Sequence, residues 1–182
     1  MGLIASVLAL FGCDQRKVDE ALNRAGQTAR SVWQSVQPDS MMFKGIEPGV
    51  STEDDLRRQA GQPEIAWEEE SGERRLEYPR GPEGATTWMV TIAPDGKVRS
   101  IEQVLTAENF QRVRAGMSED TVRRMLGKPT RVEAFALKRE KVWGYRWWET
   151  SQDKAFFNVH FGDDGRVTHT SRSDDPSRMQ GG

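Results

Sequence analysis

Four blocks of this sequence occur twice, in the same order and at a nearly constant offset, and this constrains the fold more than any other feature. Phe43-Lys44-Gly45-Ile46-Glu47-Pro48-Gly49-Val50-Ser51 aligns with Phe110-Gln111-Arg112-Val113-Arg114-Ala115-Gly116-Met117-Ser118. Leu56-Arg57-Arg58-Gln59-Ala60-Gly61-Gln62-Pro63 follows the first block as Val122-Arg123-Arg124-Met125-Leu126-Gly127-Lys128-Pro129 follows the second, after a one-residue adjustment. Leu76-Glu77-Tyr78 then matches Trp143-Gly144-Tyr145, and Asp95-Gly96-Lys97-Val98 matches Asp164-Gly165-Arg166-Val167. The pattern is that of a duplicated module, and 182 residues leave room for two small domains.

Each block has a physical reading. Ser51 and Ser118 suit helix N-caps, because a hydroxyl accepts from a free backbone N–H and the acids that follow favour the positive helix end. Ser51 with Asp54 fits a capping box. Gly61 and Gly127 are placed to end their helices in the left-handed conformation, before Pro63 and Pro129 forbid continuation. A shorter helical turn is expected ahead of each, around Met41–Ile46 and Ala107–Arg114. Beyond the helices, Leu76 and Tyr78, then Trp88, Val90 and Ile92, alternate at period two, and Asp95-Gly96 turns the chain into Val98. Trp143, Tyr145 and Trp147 alternate likewise, as do Phe157, Val159 and Phe161, with Asp164-Gly165 leading into Val167. The expected fold class is α+β: a tandem duplicate of a helix-helix-three-stranded antiparallel sheet module, with helices on one sheet face and the other face uncovered.

The N-terminal segment has a different character. An apolar run, Leu3–Gly12, precedes Cys13, and polar residues follow at once. The run is too short to span a bilayer as a helix and has the length of a signal-peptide core, although no Lys or Arg precedes Arg16. Leu10-Phe11-Gly12-Cys13 resembles the bacterial lipobox, which marks Cys13 as the lipid attachment site, and its being the chain's single Cys excludes an intrachain disulfide. Val18, Leu22, Ala25, Ala29, Val32 and Val36 are spaced for one weakly amphipathic helix, a tether ended by Pro38. The expected organisation is a signal peptide over 1–13, a tether helix over 14–39, modules over 40–105 and 106–170, and a disordered tail over 171–182.

Gly116-Met117-Ser118, Leu126-Gly127-Lys128-Pro129, Val142-Trp143-Gly144-Tyr145 and Gly165-Arg166-Val167 together resemble the BamE (SmpA/OmlA) domain of outer-membrane lipoproteins. The resemblance covers the second copy from about Phe110 to Val167 and, more loosely, the first from Phe43 to Val98. The β-lactamase inhibitory proteins use the same fold in tandem. The resemblance implies a non-enzymatic accessory scaffold in outer-membrane β-barrel assembly, lipid-anchored and facing the periplasm, with a protein partner of the BamD or BamA type. A protein-inhibitor module of the β-lactamase inhibitory kind is the alternative. Asp14, directly after Cys13, resembles an inner-membrane retention signal, so both membranes stay open as addresses.

Chemistry of other kinds finds little footing. The net charge of −2 lacks the Lys and Arg excess that phosphate binding needs, so no nucleic-acid partner is expected. His160 and His169, the two histidines, read as surface or packing residues, and no catalytic set, metal site or cofactor is expected. Glu68-Glu69-Glu70 reads as a solvated turn and Gly81-Pro82-Glu83-Gly84 as turn chemistry. The surplus aromatics are more informative. If Trp143, Tyr145 and Trp147 face the helices, then Arg146, Trp148, Phe156, Asn158 and His160 share the opposite face. Arg and aromatic residues among polar ones make a candidate protein-binding patch, unless the first module or the tether covers them.

Overall fold

The computed structural model describes residues 39–81 and 84–177. Cys13, the signal peptide and the body of the tether lie outside the described residues. The chain divides after Lys44 into two units. In the first, helix α1 spans Asp39–Met42. The second contains α2 (Glu53–Ala60), α3 (Ala107–Gln111), α4 (Glu119–Leu126), a 3-10 turn at Ala136–Lys138 and all the strands. Strands β1 (Ile65–Glu68), β2 (Arg74–Pro79), β3 (Thr87–Ile92) and β4 (Val98–Gln103) form one antiparallel meander; β5 (Arg131–Phe135), β6 (Glu140–Trp148), β7 (Lys154–Phe161) and β8 (Val167–Asp174) form another. The class is therefore α+β, as expected, but each sheet has four strands rather than three. The unexpected ones, β1 and β5, are edge strands held by backbone pairing, and of their residues only Trp67 is buried.

Helices of eight residues are not stable alone, so caps and packing must hold them. Ser118 caps α4 as expected, its hydroxyl accepting the Thr121 N–H at 3.2 Å. In α2 the cap is Thr52, not Ser51: Thr52 accepts the Asp55 N–H at 3.2 Å and the Asp55 carboxylate accepts the Thr52 N–H at 2.8 Å. Ser51 instead accepts the Glu47 N–H, tightening the turn before the helix. Gly61 and Gly127 do end the helices with positive φ, but at ψ −163° and −161° they occupy a glycine-only region rather than the left-handed helical one. The run before each helix pairs with the start of its sheet's last strand: Gly49 N–H donates to Val98 O and Gly116 N–H to Val167 O.

One face of the first sheet carries Leu76, Val90, Ile92 and Val98, all fully buried, as is Leu56 of α2. Its other face is not left open. Trp67 and Met89 on that face share a core cluster with Val122 and Leu126 of α4 and with Tyr145, Val159 and Phe161 of the second sheet. Helix α4 thus serves two sheets at once. Phe110 of α3 completes the second core, stacked on Phe157 at 4.1 Å and edge-on to Trp147 at 5.0 Å.

Burial of the second face explains the most unusual residue of the first sheet. Glu77 is fully buried, accepts the Lys128 N–H at 2.6 Å and faces Arg123 at 3.1 Å. Burial pushes its carboxyl above the ordinary range, while the Lys128 N–H and Arg123 pull the other way. At the far end of the chain, Ser171–Asp174 belong to β8 and Asp175 is fully buried, so ordered structure runs further than the expected tail boundary at 171. These polar residues are held by cross-strand pairing with β7, which a composition-based reading does not detect.

Candidate functional site

The outer face of the second sheet follows from register. On β6 and β7, Arg146 pairs with Phe156, Gly144 with Asn158 and Val142 with His160, while Trp148 pairs with Lys154. Directly paired residues of an antiparallel sheet share a face, so Arg146, Trp148, Phe156 and His160 do lie together, away from the core that takes Trp143, Tyr145 and Trp147. Strand β5 adds Arg131, and β8 adds His169, Ser171 and Ser173.

The residues differ sharply in accessibility. Trp148 is 44 % exposed, with the Lys154 ammonium 4.7 Å from its ring centroid. Phe156 is buried, because two guanidinium groups lie over it, Arg131 at 4.1 Å and Arg146 at 5.2 Å from the ring centroid. Stacking of this kind hides the apolar ring while leaving charge at the surface. Gly144 makes it possible: a Cβ there would stand 2.7 Å from Cγ and Nε of Arg131. A glycine in mid-strand is a sequence signal for such a close approach, but it does not say which side chain approaches.

Around Phe156 most polar groups find partners in one another, Arg131 Nε being the exception. Arg146 Nε lies 2.8 Å from the Asp175 carboxylate. Burial would raise the Asp175 carboxyl, but the N–H and hydroxyl of Ser177, then Arg146 and Lys154, outweigh it and hold it below the usual range. Arg131 Nη2 donates to Asn158 Oδ1, and Asn158 Nδ2 donates to Ser173 Oγ at 3.1 Å. His160 bonds Glu140 through Nδ1 at 2.9 Å and Ser171 through Nε2 at 2.8 Å. The arrangement is a rigid polar and cationic surface with one exposed indole at its end. At its other end Glu140, His160 and Ser171 line up a carboxylate, an imidazole and a hydroxyl.

Residues 102–171 match the model of the outer membrane protein assembly factor BamE domain. The BamE match begins at the end of β4, takes in α3, α4, β5, β6 and β7, and stops within β8, so it contains the core cluster's second-sheet half and most of the outer face. Arg146, Trp148, Phe156 and His160 lie inside it; Asp175 lies beyond it. No curated protein matches the chain. Among solved structures, a DUF4309 family protein (YjgB) from Bacillus subtilis is similar at 16 % identity and a TM-score of 0.28, over 72 % of this chain and 84 % of that one.

Sequence reading missed two participants in the outer face, Arg131 and Asp175, while alternation places Asn158 there. Arg131 sits on an unrecognised edge strand, and Asp175 lies in residues expected to be tail. The acid cluster behaves as expected, with Glu68 ending β1 and Glu69 and Glu70 leading into the turn to β2. Beside it a cleft of about 410 Å³ is lined by Glu69, Ser71, Glu73, Arg75, Thr91 and Glu102 among others. Glu73 there is paired with Arg99. Among the described residues no helix is long and apolar enough to cross a membrane.

Proposed function

We propose that this chain is a non-enzymatic lipoprotein of the bacterial envelope, a BamE-like accessory scaffold in outer-membrane β-barrel assembly. The match of residues 102–171 to the BamE domain carries the reading. Two copies of one module, residues 40–105 and 106–170, make up its body, and lipid on Cys13 tethers it to the outer membrane with the modules in the periplasm. Support for duplication comes from bonds that recur at equivalent places: Tyr78 OH donates to Gly61 O as Tyr145 OH donates to Gly127 O, and Thr52 bridges Lys97 as Ser118 bridges Arg166.

The partner-binding surface is the outer face of the second sheet, with Trp148 as its accessible anchor and Arg146, Phe156 and His160 behind it. A protein partner of the BamD or BamA type is the expected occupant. Affinity capture from detergent-solubilised envelope tests the assignment: recovery of barrel-assembly components is expected, and recovery of a single soluble enzyme instead would replace the scaffold by an inhibitor. Within that assay Trp148→Ala should weaken capture by about 2 kcal/mol, in the range of interface hot spots, with little change in stability because nearly half of the residue is exposed and it lies outside the core. Phe156→Ala is unsuitable as the test, since Phe156 is buried and its loss would disturb the fold. A Trp148→Ala protein that captures its partner at full strength would remove this face from consideration.

Anchoring is tested separately. Cys13→Ala should move the protein from the membrane to the soluble fraction with an unchanged melting curve, because stable attachment depends on the acyl chains. Continued membrane sedimentation in carbonate at high pH would rule out the lipid tether.

A further inference from the structure

The chain has two histidines among its 182 residues, and the fold brings them face to face. His160 of β7 pairs directly with His169 of β8, and their rings stack with centroids 3.9 Å apart and planes 18° from parallel. On the other side of His160, at the start of β6, the Glu140 carboxylate lies 2.9 Å from Nδ1. One donor atom from each of the three residues falls within 4.8 Å of the others. We propose that Glu140, His160 and His169 form a binding site for a divalent transition ion of the zinc type, held by two imidazoles and one carboxylate with a coordination position left open to solvent.

The donor set points to that class of ion. Imidazole with carboxylate suits zinc and its first-row neighbours, and three protein ligands leave the fourth tetrahedral place free. Magnesium and calcium take all-oxygen shells and would gain nothing from two histidines. The local hydrogen bonds also fit. An ion between His160 Nδ1 and Glu140 would replace the proton they share, and the Ser171 hydroxyl, 2.8 Å from Nε2, can accept a proton carried there instead. A metal-binding imidazole ordinarily has such a partner on its second nitrogen, fixing tautomer and ring angle.

The scaffold can close the remaining gap. Ligand bonds of about 2.0–2.2 Å require the donors to draw somewhat closer than they stand. Backbone ladders between β6, β7 and β8 fix the three Cα positions, and His169 is exposed, so its ring can turn without disturbing the core. Its Nδ1 is engaged with the adjacent Thr168 hydroxyl at 3.1 Å, a contact that turning the ring out of the stack would exchange for the ion. The Glu140–His160–Ser171 chain explains the placement of one histidine as a structural link. It does not explain why the other stands opposite it on the same face.

The test uses the full chain, free of affinity tags and carrying Cys13→Ser so that a thiol contributes nothing. After dialysis against chelator, titration calorimetry with zinc chloride should show one ion bound per chain, and the same titration with magnesium chloride should show no comparable heat. His169→Ala and Glu140→Gln should each weaken zinc binding by about tenfold or more, the scale on which metal sites respond to loss of a supporting group, while their melting temperatures in chelator stay at the parent value. Zinc should also shift the ring proton signals of both histidines. Absence of saturable zinc binding, or binding that His169→Ala and Glu140→Gln leave unchanged, overturns the site.

Discussion

Gly127→Val is expected to lower the free energy of unfolding by about 3–5 kcal/mol, from strain and overpacking together. Gly127 sits at φ +78° and ψ −161°, where a β-branched residue is strained whatever the space around it. Space is lacking as well. A Cβ there would meet Thr87 Cγ2 at 2.6 Å and the Glu77 carboxylate at 3.1 Å, and both of those residues are buried. Glu77 is held by the Lys128 N–H, and Gly127 itself by the Tyr145 OH on its carbonyl, so the contact is not relieved by a shift of either. Gly116 supplies the control: its φ is +88° but a Cβ there would touch nothing within 4 Å, so Gly116→Ala should cost only about 1–2 kcal/mol of backbone strain. Urea unfolding of both variants separates the contributions. If Gly127→Val unfolds no more easily than Gly116→Ala, the end of α4 does not pack against the first sheet as described.

Much of the second sheet was legible from sequence because its alternation is strong and its turns are chemically explicit. Trp143, Tyr145 and Trp147 turn inward with Phe157, Val159 and Phe161, and Gly96 and Gly165 take positive φ at their Asp-Gly turns. Local signals failed where the determining partner is distant. Glu77, between Leu76 and Tyr78, looks like an ordinary solvent-facing residue of a half-buried strand, and nothing nearby announces that Lys128, 51 residues on, will cover it. Strand β5 has no buried position to generate an apolar period, so its existence depends on β6. The cap expected at Ser51 with Asp54 falls one residue later, at Thr52 with Asp55, where Thr52 also pairs with Lys97.

The face shared by the candidate site residues was likewise accessible to alternation, but the division of labour within it was not. Period two places Trp148 and Phe156 on one surface without distinguishing an exposed indole from a ring buried under two guanidinium groups. That distinction depends on Gly144 and on Arg131 reaching across from β5. Nor does the spacing of 160 and 169 in the chain show that the two histidines face one another; the hairpin through Gly162–Arg166 does that.

Glu77→Ala should destabilise the protein by about 3 kcal/mol, near the lower end for breaking a buried ion pair because Arg123 retains some contact with water. The change strips the Lys128 N–H of its acceptor, and an unsatisfied buried donor accounts for about 1–3 kcal/mol by itself. Glu77→Gln keeps an acceptor for that N–H and removes only the charge, so it should cost clearly less. The two variants also fix the sign of a pH dependence. Burial raises the folded carboxyl above its ordinary value of 4.5, so the folded protein binds this proton more tightly than the unfolded chain does. By linkage, the stability that Glu77 contributes is fully present below the unfolded value and is lost as pH rises through the folded one. The advantage of the parent protein over Glu77→Gln should therefore shrink as pH rises from 4.5 through that window. Denaturant midpoints at a series of pH values measure it, and an advantage that grows with pH would mean that attraction to Arg123 and the Lys128 N–H outweighs desolvation at this carboxylate.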